Sequence, residues 1–558
     1  MSTRVVRIRL RGWILIAALL FGVPVLAQGP SQGRSQRPRL LLIPLDDRPS
    51  SVDFPVRIGA IAGATVVTPP RELLGRFTQP ADADAVQRWV RATLTLTSRG
   101  TARPRDAAPV DAVIVSVDLL TYGGLVASRT LESASVEQAL ARLQLLREIR
   151  ARYPRLPLYA SASLMRLAPT ADGQNEAYRE ALARWAEIAP DSMRPAEAEE
   201  LVRLRARIPD AILTAYRAAR ARNVRVHEAL LELSADGVLT HLVFTQDDAR
   251  SRGVHLGERE RLTAQVARRG LQDRISIQSG TDEFGMLLVA RALTALRGRS
   301  PMVAVQYVAP SDSARVMPFE DRPLAETVRT HLRLAGARIA DATITRRSDE
   351  VALQLVVHTV RATGRGAATS TEGSVRAAAL VRASPHPVIL ADIDPTGAIQ
   401  GADTTLTDHL SSSRTFATLA GYGGWNTAGN AVGTAVAHGV VRWLVAGDSS
   451  AAPSVAQQTA HAAFLLDRWL DDDLYKSRIR PALVASIRAR GWDPFRLTAV
   501  QTVTIEEEIR AAVRQRVAMT TDLSGVIGTP CRLTSPIDVR LPWGRTFEAA
   551  FDFALRCD

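Results

Sequence analysis

Pairs of carboxylates follow short apolar runs along the chain, and their types and spacing could support acid–base chemistry. Asp46 and Asp47 follow the run Leu40–Leu45, and Asp247 and Asp248 stand in the segment HLVFTQDDAR. Two carboxyl groups in one cleft hinder each other's ionisation, so one can stay protonated as a general acid while the other is charged. The sequence therefore indicates a catalytic pair at Asp247 and Asp248, although the same residues could merely cap a turn and pair with nearby arginines.

Further polar side chains stand where a ligand could approach the backbone. Arg48 follows the first acidic pair and offers a planar fork for anionic or hydroxyl-rich groups, the alternative being an internal ion pair. Asp118 and Tyr122 precede the paired glycines Gly123 and Gly124, which permit close backbone approach or simply form a tight turn.

Two more segments combine polar groups with helix starts. Asp282 and Glu283 open the helical segment FGMLLVAR, where acids also serve as helix-capping residues. In the glycine-rich segment GYGGWNTAGN, Trp425 could stack on a sugar ring and Asn426 could bond a hydroxyl, unless the glycines serve only helix packing. The candidate substrate-binding residues are Asp46, Asp47, Arg48, Asp118, Tyr122, Asp282, Glu283, Trp425 and Asn426.

Several kinds of chemistry lack the residues that they need. Lys476 is the only lysine, and its segment DDDLYKSRIR predicts a solvated helix face, so Schiff-base, pyridoxal-phosphate and P-loop chemistry are excluded. The nine histidines show no zinc-ligand spacing. We expect no cofactor, although carboxylates from several strand ends could converge on Mg²⁺ or Ca²⁺. Cys531 and Cys557 are the only cysteines, and we expect them to form a structural disulfide.

The elements that must position these residues alternate between apolar runs and helical segments, which is typical of a parallel α/β fold. The predicted strands are Leu40–Leu45, Thr65–Val67, Ala112–Val117, Leu158–Ser161, Leu242–Phe244, Ile275–Ile277 and Val303–Tyr307. Seven strands with polar residues after most of them predict a (β/α)8-like barrel with insertions. The alternative is a pair of α/β lobes around a cleft.

The first residues suggest that the protein is exported, and the remaining sequence suggests three folded regions. Residues 1–27 combine a basic start, an apolar stretch and a small-residue cleavage site, as a signal peptide does, so no membrane span is expected after its removal. Residues 28–39 resemble a flexible linker. The main α/β domain is expected at 40–310, a second α/β segment at 311–445, and a helical region with a small β tail at 446–558.

The partners are expected to be carbohydrates or other small polar molecules. The net charge is +13, but no basic run is interleaved with aromatic residues, so nucleic acid is not an expected partner.

Several long motifs resemble one known family. LLIPLDDRP, PPRELLG, SVDLLTYGGLVASR, QDDAR, GTDEFGMLLVAR, FEDRPLAE and GYGGWNTAGNAVGT are similar to the bacterial domain-of-unknown-function family 4127, from Leu40 to about Leu444. The resemblance implies kinship but no transferable activity. The lead-in VFTQDDA is also similar, over a few residues, to the tandem-aspartate strand end of β-N-acetylglucosaminidases of the hyaluronidase type, which are barrels.

These observations together favour an exported glycoside hydrolase that acts on an envelope or extracellular glycan. In this hypothesis Asp248 protonates the leaving oxygen, and Asp247 is the second carboxylate or orients a substrate acetamido group. The alternatives are a carboxylate-metal hydrolase of amide or phosphoester bonds and a non-catalytic glycan-binding envelope protein.

Overall fold

The computed structural model describes residues 37–98, 109–341, 350–359, 368–446, 452–519 and 523–558, and the segment Arg37–Asp558 forms one compact unit. The expected signal peptide and most of the expected linker lie outside the described residues. The fold is mixed α/β with parallel sheets, as the sequence predicts. None of the described helices is both long and apolar enough to cross a membrane.

The first sheet has six parallel strands in the order β2-β1-β3-β4-β5-β6. Its strands are β1 (Arg39–Ile43), β2 (Thr65–Val67), β3 (Ala112–Ser116), β4 (Leu158–Leu164), β5 (His241–Gln246) and β6 (Ile275–Ser279). In register, Leu40 of β1 lies beside Val66 of β2 and Ala112 of β3. All six strands point the same way, so their carboxyl ends share one edge.

The second sheet has five parallel strands in the order β11-β10-β9-β7-β8. Its strands are β7 (Met302–Tyr307), β8 (Arg338–Ile339), β9 (Leu353–His358), β10 (Val388–Asp392) and β11 (Gly421–Gly423). Two short antiparallel pairs follow near the carboxyl terminus. They join β12 (Cys531–Leu533) to β15 (Leu555–Cys557) and β13 (Asp538–Arg540) to β14 (Ala550–Asp552).

The expected eight-stranded barrel is not formed by the described residues. All seven predicted strands exist, but β7 pairs with β8 and β9 of the second sheet instead of with β6. As a result β6 and β2 remain the two edges of an open first sheet. An apolar run predicts a strand without its partner, which is why the sequence did not distinguish this arrangement from a barrel. The alternative of two α/β lobes also predicts two sheets, but here both sheets belong to one compact unit.

The helices cover both faces of each sheet. They are α1 (Asp53–Ile61), α2 (Ala83–Ser98), α3 (Val117–Tyr122), α4 (Val136–Arg142), α5 (Gln144–Arg152), α6 (Glu176–Ile188), α7 (Pro195–Arg207), α8 (Asp210–Ala235), α9 (Val254–Arg268), α10 (Phe284–Arg297), α11 (Leu324–Leu334), α12 (Ala368–Ala383), α13 (Thr404–Ser412), α14 (Ala428–Ala446), α15 (Val455–Arg468), α16 (Arg480–Ala489), α17 (Ala499–Met519) and α18 (Ser524–Ile527). A π-helical stretch, Trp469–Ile479, joins α15 to α16.

A shared layer of helices lies between the two sheets. In β1, Leu40 and Leu42 belong to the same apolar core as α10 and Leu355 of β9, whereas Leu41 and Ile43 belong to the core on the outer face of the first sheet. This alternation follows from the two-residue period of a strand. Burial on both faces also explains why these strands are almost continuously apolar.

The sequence analysis predicted the pairing of the two cysteines correctly and the exposure of Lys476 incorrectly. Cys531 and Cys557 form the expected disulfide, which joins β12 to β15. The expectation that Lys476 lies on a solvated helix face is wrong, because it is only 1% exposed within the π-helical stretch. Its Nζ donates to the carbonyl of Phe547 at 2.9 Å, and burial lowers its pKa while Asp471 opposes that shift.

Candidate functional site

The carboxyl edge of the first sheet brings acidic residues together from four strand ends. Asp46 follows β1, Asp118 follows β3, Asp247 follows β5 and Asp282 follows β6. All four side chains are buried or nearly so. The negative charge of Asp247 raises the pKa of both Asp118 and Asp282. The strands are parallel, so their carboxyl ends, and the acids that follow them, lie along one edge of the sheet.

Arg48 bridges two of these carboxylates. Its Nη2 lies 2.6 Å from Asp46 Oδ2 and 2.7 Å from Asp282 Oδ1, and Ser51 Oγ donates to Asp46 Oδ1 at 2.8 Å. Burial raises the pKa of Asp282 to about 6, against the opposing effect of Arg48 and with further increases from Asp46 and Asp247. Asp282 can therefore exchange a proton near neutral pH.

Asp118 occupies the first turn of α3, which begins directly where β3 ends. The backbone N–H of Ser163, in β4, donates to its Oδ2 at 3.0 Å. Burial raises the pKa of Asp118 to about 7, partly offset by the Ser163 hydrogen bonds and increased by the charge of Asp247. Two acids on either side of Asp247 thus titrate close to neutrality.

Replacing Asp118 with Asn is expected to stabilise the protein above pH 7. The folded-state pKa of about 7 exceeds the ordinary aspartate pKa of 3.8, so the wild-type carboxyl loses its stabilising contribution as the pH rises from about 4 through 7. That loss amounts to ~4 kcal/mol, and asparagine does not titrate. Urea unfolding of both proteins at pH 4 and pH 8 measures the effect. Equal stability differences at the two pH values would contradict it.

Asp247 and Asp248 both follow Gln246, the last residue of β5, and they face different arginines. Asp248 has a φ of 34°, in the left-handed region that is unusual for a residue with a side chain. Arg129 Nη2 lies 2.5 Å from Asp247 Oδ2, and Arg166 Nη1 lies 2.5 Å from Asp248 Oδ2. Asp247 is buried, whereas the Asp248 side chain is 38% exposed.

The two arginines and Ser163 are site residues that the sequence analysis did not identify. Arg166 follows β4 at the same edge where the acids follow β1, β3, β5 and β6, so the strand-end rule could have found it. Arg129 is the last residue of the motif SVDLLTYGGLVASR, and only its contact with Asp247 shows its place.

The carboxyl-terminal region covers one side of the site. Trp543 Nε1 donates to Asp47 Oδ1 at 2.5 Å, and the Arg48 guanidinium lies 5.0 Å from the centre of the Trp543 ring. Burial raises the pKa of Asp47, while the Trp543 hydrogen bond lowers it. Asp47 therefore holds the carboxyl-terminal region against the site, and its neighbours Asp46 and Arg48 face the carboxylate cluster.

Two of the expected binding residues are engaged inside the protein. Trp425 packs edge-to-face on Phe54, its Nε1 donates to Thr434 Oγ1 at 2.9 Å, and the whole residue is buried. The expectation that Trp425 stacks on a sugar ring is therefore not met by this structure. Tyr122 is buried under the guanidinium of Arg222, which lies 4.2 Å from the ring centre.

Glu283 and Asn426 lie in a second polar cluster beside the carboxylate site. Glu283 is fully buried, accepts from Asn430 Nδ2 at 2.7 Å and contacts His331 Nε2 at 2.9 Å. Asn426 Nδ2 donates to Asn430 Oδ1 at 2.6 Å, and its side chain is partly accessible. These contacts assign Glu283 to packing between helices, whereas Asn426 remains within reach of a ligand.

No group of three or more His, Cys, Asp or Glu side chains in the described part of the chain is arranged to hold a metal ion. Four of the site carboxylates are instead bound to arginines, namely Asp46 and Asp282 to Arg48, Asp247 to Arg129 and Asp248 to Arg166.

The comparison with protein families matches residues 40–552 to a model described as a protein of unknown function, DUF4127. The comparison with curated proteins finds no match. The family match extends beyond the motifs in the sequence and includes the carboxyl-terminal region that supplies Trp543.

Proposed function

This chain belongs to the family of proteins of unknown function DUF4127, and we propose that it is a hydrolase of glycosidic bonds. The observation that carries the proposal is the carboxylate cluster, in which Asp247 is bound to Arg129 and lies between two acids that titrate near neutrality. Glycoside hydrolysis requires one carboxyl group that donates a proton and one that is charged. The leader-like residues 1–27 support an exported enzyme acting on an envelope or extracellular glycan.

Burial favours a different proton donor from the one that the sequence suggests. Both carboxylates are paired with an arginine, Asp248 with Arg166 and Asp282 with Arg48, but the Asp282 side chain is the more buried and burial raises its pKa to about 6. In the proposal Asp282 protonates the leaving oxygen. Asp247 is the charged carboxylate that attacks the anomeric carbon or orients a substrate group that does so.

The other charged groups fit roles in substrate binding and positioning. The ion pair of Asp248 and Arg166 is more exposed to solvent than the pairs of Asp247 with Arg129 and of Asp282 with Arg48. Asp248 and Arg166 can therefore form hydrogen bonds with sugar hydroxyls. Asp118, buried behind them and bonded to Ser163, keeps a protonatable carboxyl next to Asp247. When Asp118 is protonated, it adds no negative charge to the surroundings of Asp247.

The test is the release of reducing ends from a panel of purified glycans that includes N-acetylglucosamine polymers and cell-wall fragments. We expect the wild-type protein to release them and Asp247→Asn to lose nearly all of that activity while remaining folded at the assay temperature. Activity that disappears with a chelator and returns with Mg²⁺ or Ca²⁺ would favour the carboxylate-metal hydrolase instead. Binding without any release on prolonged incubation would favour a glycan-binding protein.

A further inference from the structure

An exposed aromatic residue, Phe319, lies beside the carboxylate cluster, in a loop that follows a strand of the second sheet. Phe319 belongs to the loop between β7 and α11, and 42% of it is exposed. Its backbone carbonyl accepts a hydrogen bond from the N–H of Ala249 at 2.9 Å, so the peptide group that follows Asp248 is joined directly to Phe319. The loops at the carboxyl ends of β5 and β7 therefore meet at this point.

The residues around Phe319 are buried and held, although the ring itself is exposed. Met317 and Glu320 are almost fully buried, and Glu320 accepts from the N–H of Gly429 at 2.8 Å. Asp321 is ion-paired with Arg259 and accepts from Ser279 Oγ at 2.8 Å. Contacts with α9, β6 and α14 thus anchor the part of the loop that directly follows Phe319.

The backbone at Phe319 is in a conformation that its side chain disfavours. Its φ is 66°, and Asp248, Gln400 and Asn426 also have positive φ values, of 34°, 57° and 54°. Such left-handed conformations are strained for most residues that carry a Cβ and tend to occur at functional sites. Two backbone hydrogen bonds join these loops in pairs, from Asn426 N–H to the Gln400 carbonyl and from Ala249 N–H to the Phe319 carbonyl.

A second loop from the same sheet lies against the ring. A Cβ built on Gly397 would lie 3.0 Å from Phe319 Cε2, so the loop that follows β10 passes close to the ring edge. Ile399, two residues further on, is 43% exposed. Phe319 and Ile399 are thus two exposed apolar residues on neighbouring loops, and the backbone of Phe319 is bonded to the residue that follows Asp248.

We propose that Phe319 is the aromatic platform on which one sugar ring of the substrate packs, in a subsite next to Asp248. The inference rests on the proposed glycosidase function and assigns to Phe319 the stacking role that the sequence suggests for Trp425. One face of a pyranose ring presents C–H groups, and an aromatic ring on an anchored backbone buries this face with few side-chain torsions to restrict. Asp248 and Arg166 then bond the hydroxyls at the ring edge.

The test measures binding of a β-1,4-linked N-acetylglucosamine hexamer by titration calorimetry, in the Asp282→Asn background so that hydrolysis does not interfere. Adding Phe319→Ala is expected to weaken binding at least tenfold, whereas Phe319→Trp retains it. Phe495→Ala is the matched control because Phe495 is similarly exposed, at 39%, and lies in the carboxyl-terminal region. We expect no change from this control.

A glycine variant separates ligand binding from a structural role. Phe319→Gly removes the ring but adopts a φ of 66° without strain, so its thermal unfolding temperature is expected to equal or exceed that of the parent while binding is lost. Lower stability in parallel with lower affinity would overturn the platform role. Unchanged hexamer binding in Phe319→Ala would overturn it while leaving the glycosidase proposal intact. A wild-type protein that neither binds nor cleaves any glycan of the panel would overturn both.

Discussion

Replacing Asp282 with Asn is expected to lower the rate of glycan hydrolysis about a thousandfold, because the variant lacks the proton that the leaving oxygen needs. The wild-type kcat/KM is expected to fall as the pH rises through about 6, since Asp282 must be protonated to act and its pKa is raised to about 6. The residual activity of the variant should not show this decline. Reducing-end assays from pH 4 to pH 9 measure both effects.

Asp312→Asn provides a matched control for this substitution. The Asp312 side chain is 12% exposed, close to the 11% of Asp282, and it is also paired with an arginine, Arg315. It follows β7 of the second sheet, and its loss is expected to leave the rate and its pH dependence unchanged. A decline near pH 7 that disappears in Asp118→Asn but persists in Asp282→Asn would assign the proton donor to Asp118 instead.

Replacing Arg48 with Met is expected to destabilise the protein by about 4 kcal/mol at pH 7, because it leaves two buried carboxylates without their shared counter-charge. Arg48 is bonded to both Asp46 and Asp282, and its side chain is only 8% exposed. Methionine keeps most of the side-chain volume, so a loss of packing contributes little. Urea unfolding followed by circular dichroism measures the difference.

The pH dependence of the stability loss shows whether Arg48→Met acts through the lost ion pair or through lost packing. Removing the guanidinium raises the folded-state pKa of Asp282 further above the ordinary aspartate pKa of 3.8, so the loss of stability is present above about pH 6 and shrinks as the pH falls. Arg91→Met is the control, because the ion pair between Arg91 and Glu148 is about half exposed and contributes less than ~1 kcal/mol. A deficit that persists unchanged at pH 4 would contradict this account.

The local elements and the edge that carries the site were predictable from the sequence. A buried strand between two helix layers needs a nearly continuous apolar run, and such runs ended at residues close to the observed ends of β1, β3, β5 and β6. Since parallel strands share an edge, acids after separate runs were expected to converge. The pairing of β7 was not predictable, because a strand's partner depends on contacts between residues far apart in the chain.

Side-chain environments were harder to predict than strands. Trp425 and Lys476 were assigned from their neighbours in sequence, but Trp425 is covered by Phe54 and Lys476 is bonded to the carbonyl of Phe547, each from a distant segment. Phe319 lies in the motif FEDRPLAE, yet only its backbone hydrogen bond with Ala249 places it next to the site. Burial and distant contacts are tertiary properties that no local pattern contains.

The hydrogen bond from Trp543 to Asp47 joins residues 496 positions apart. Because the ribosome makes a chain from its amino terminus, the tandem acids after β1 are synthesised long before the tryptophan that covers them. The first sheet can form early, but this part of its edge stays open to solvent and to other proteins until translation is nearly complete. Pairings of such sequence separation slow folding. A chain that ends before residue 543 would lack this cover.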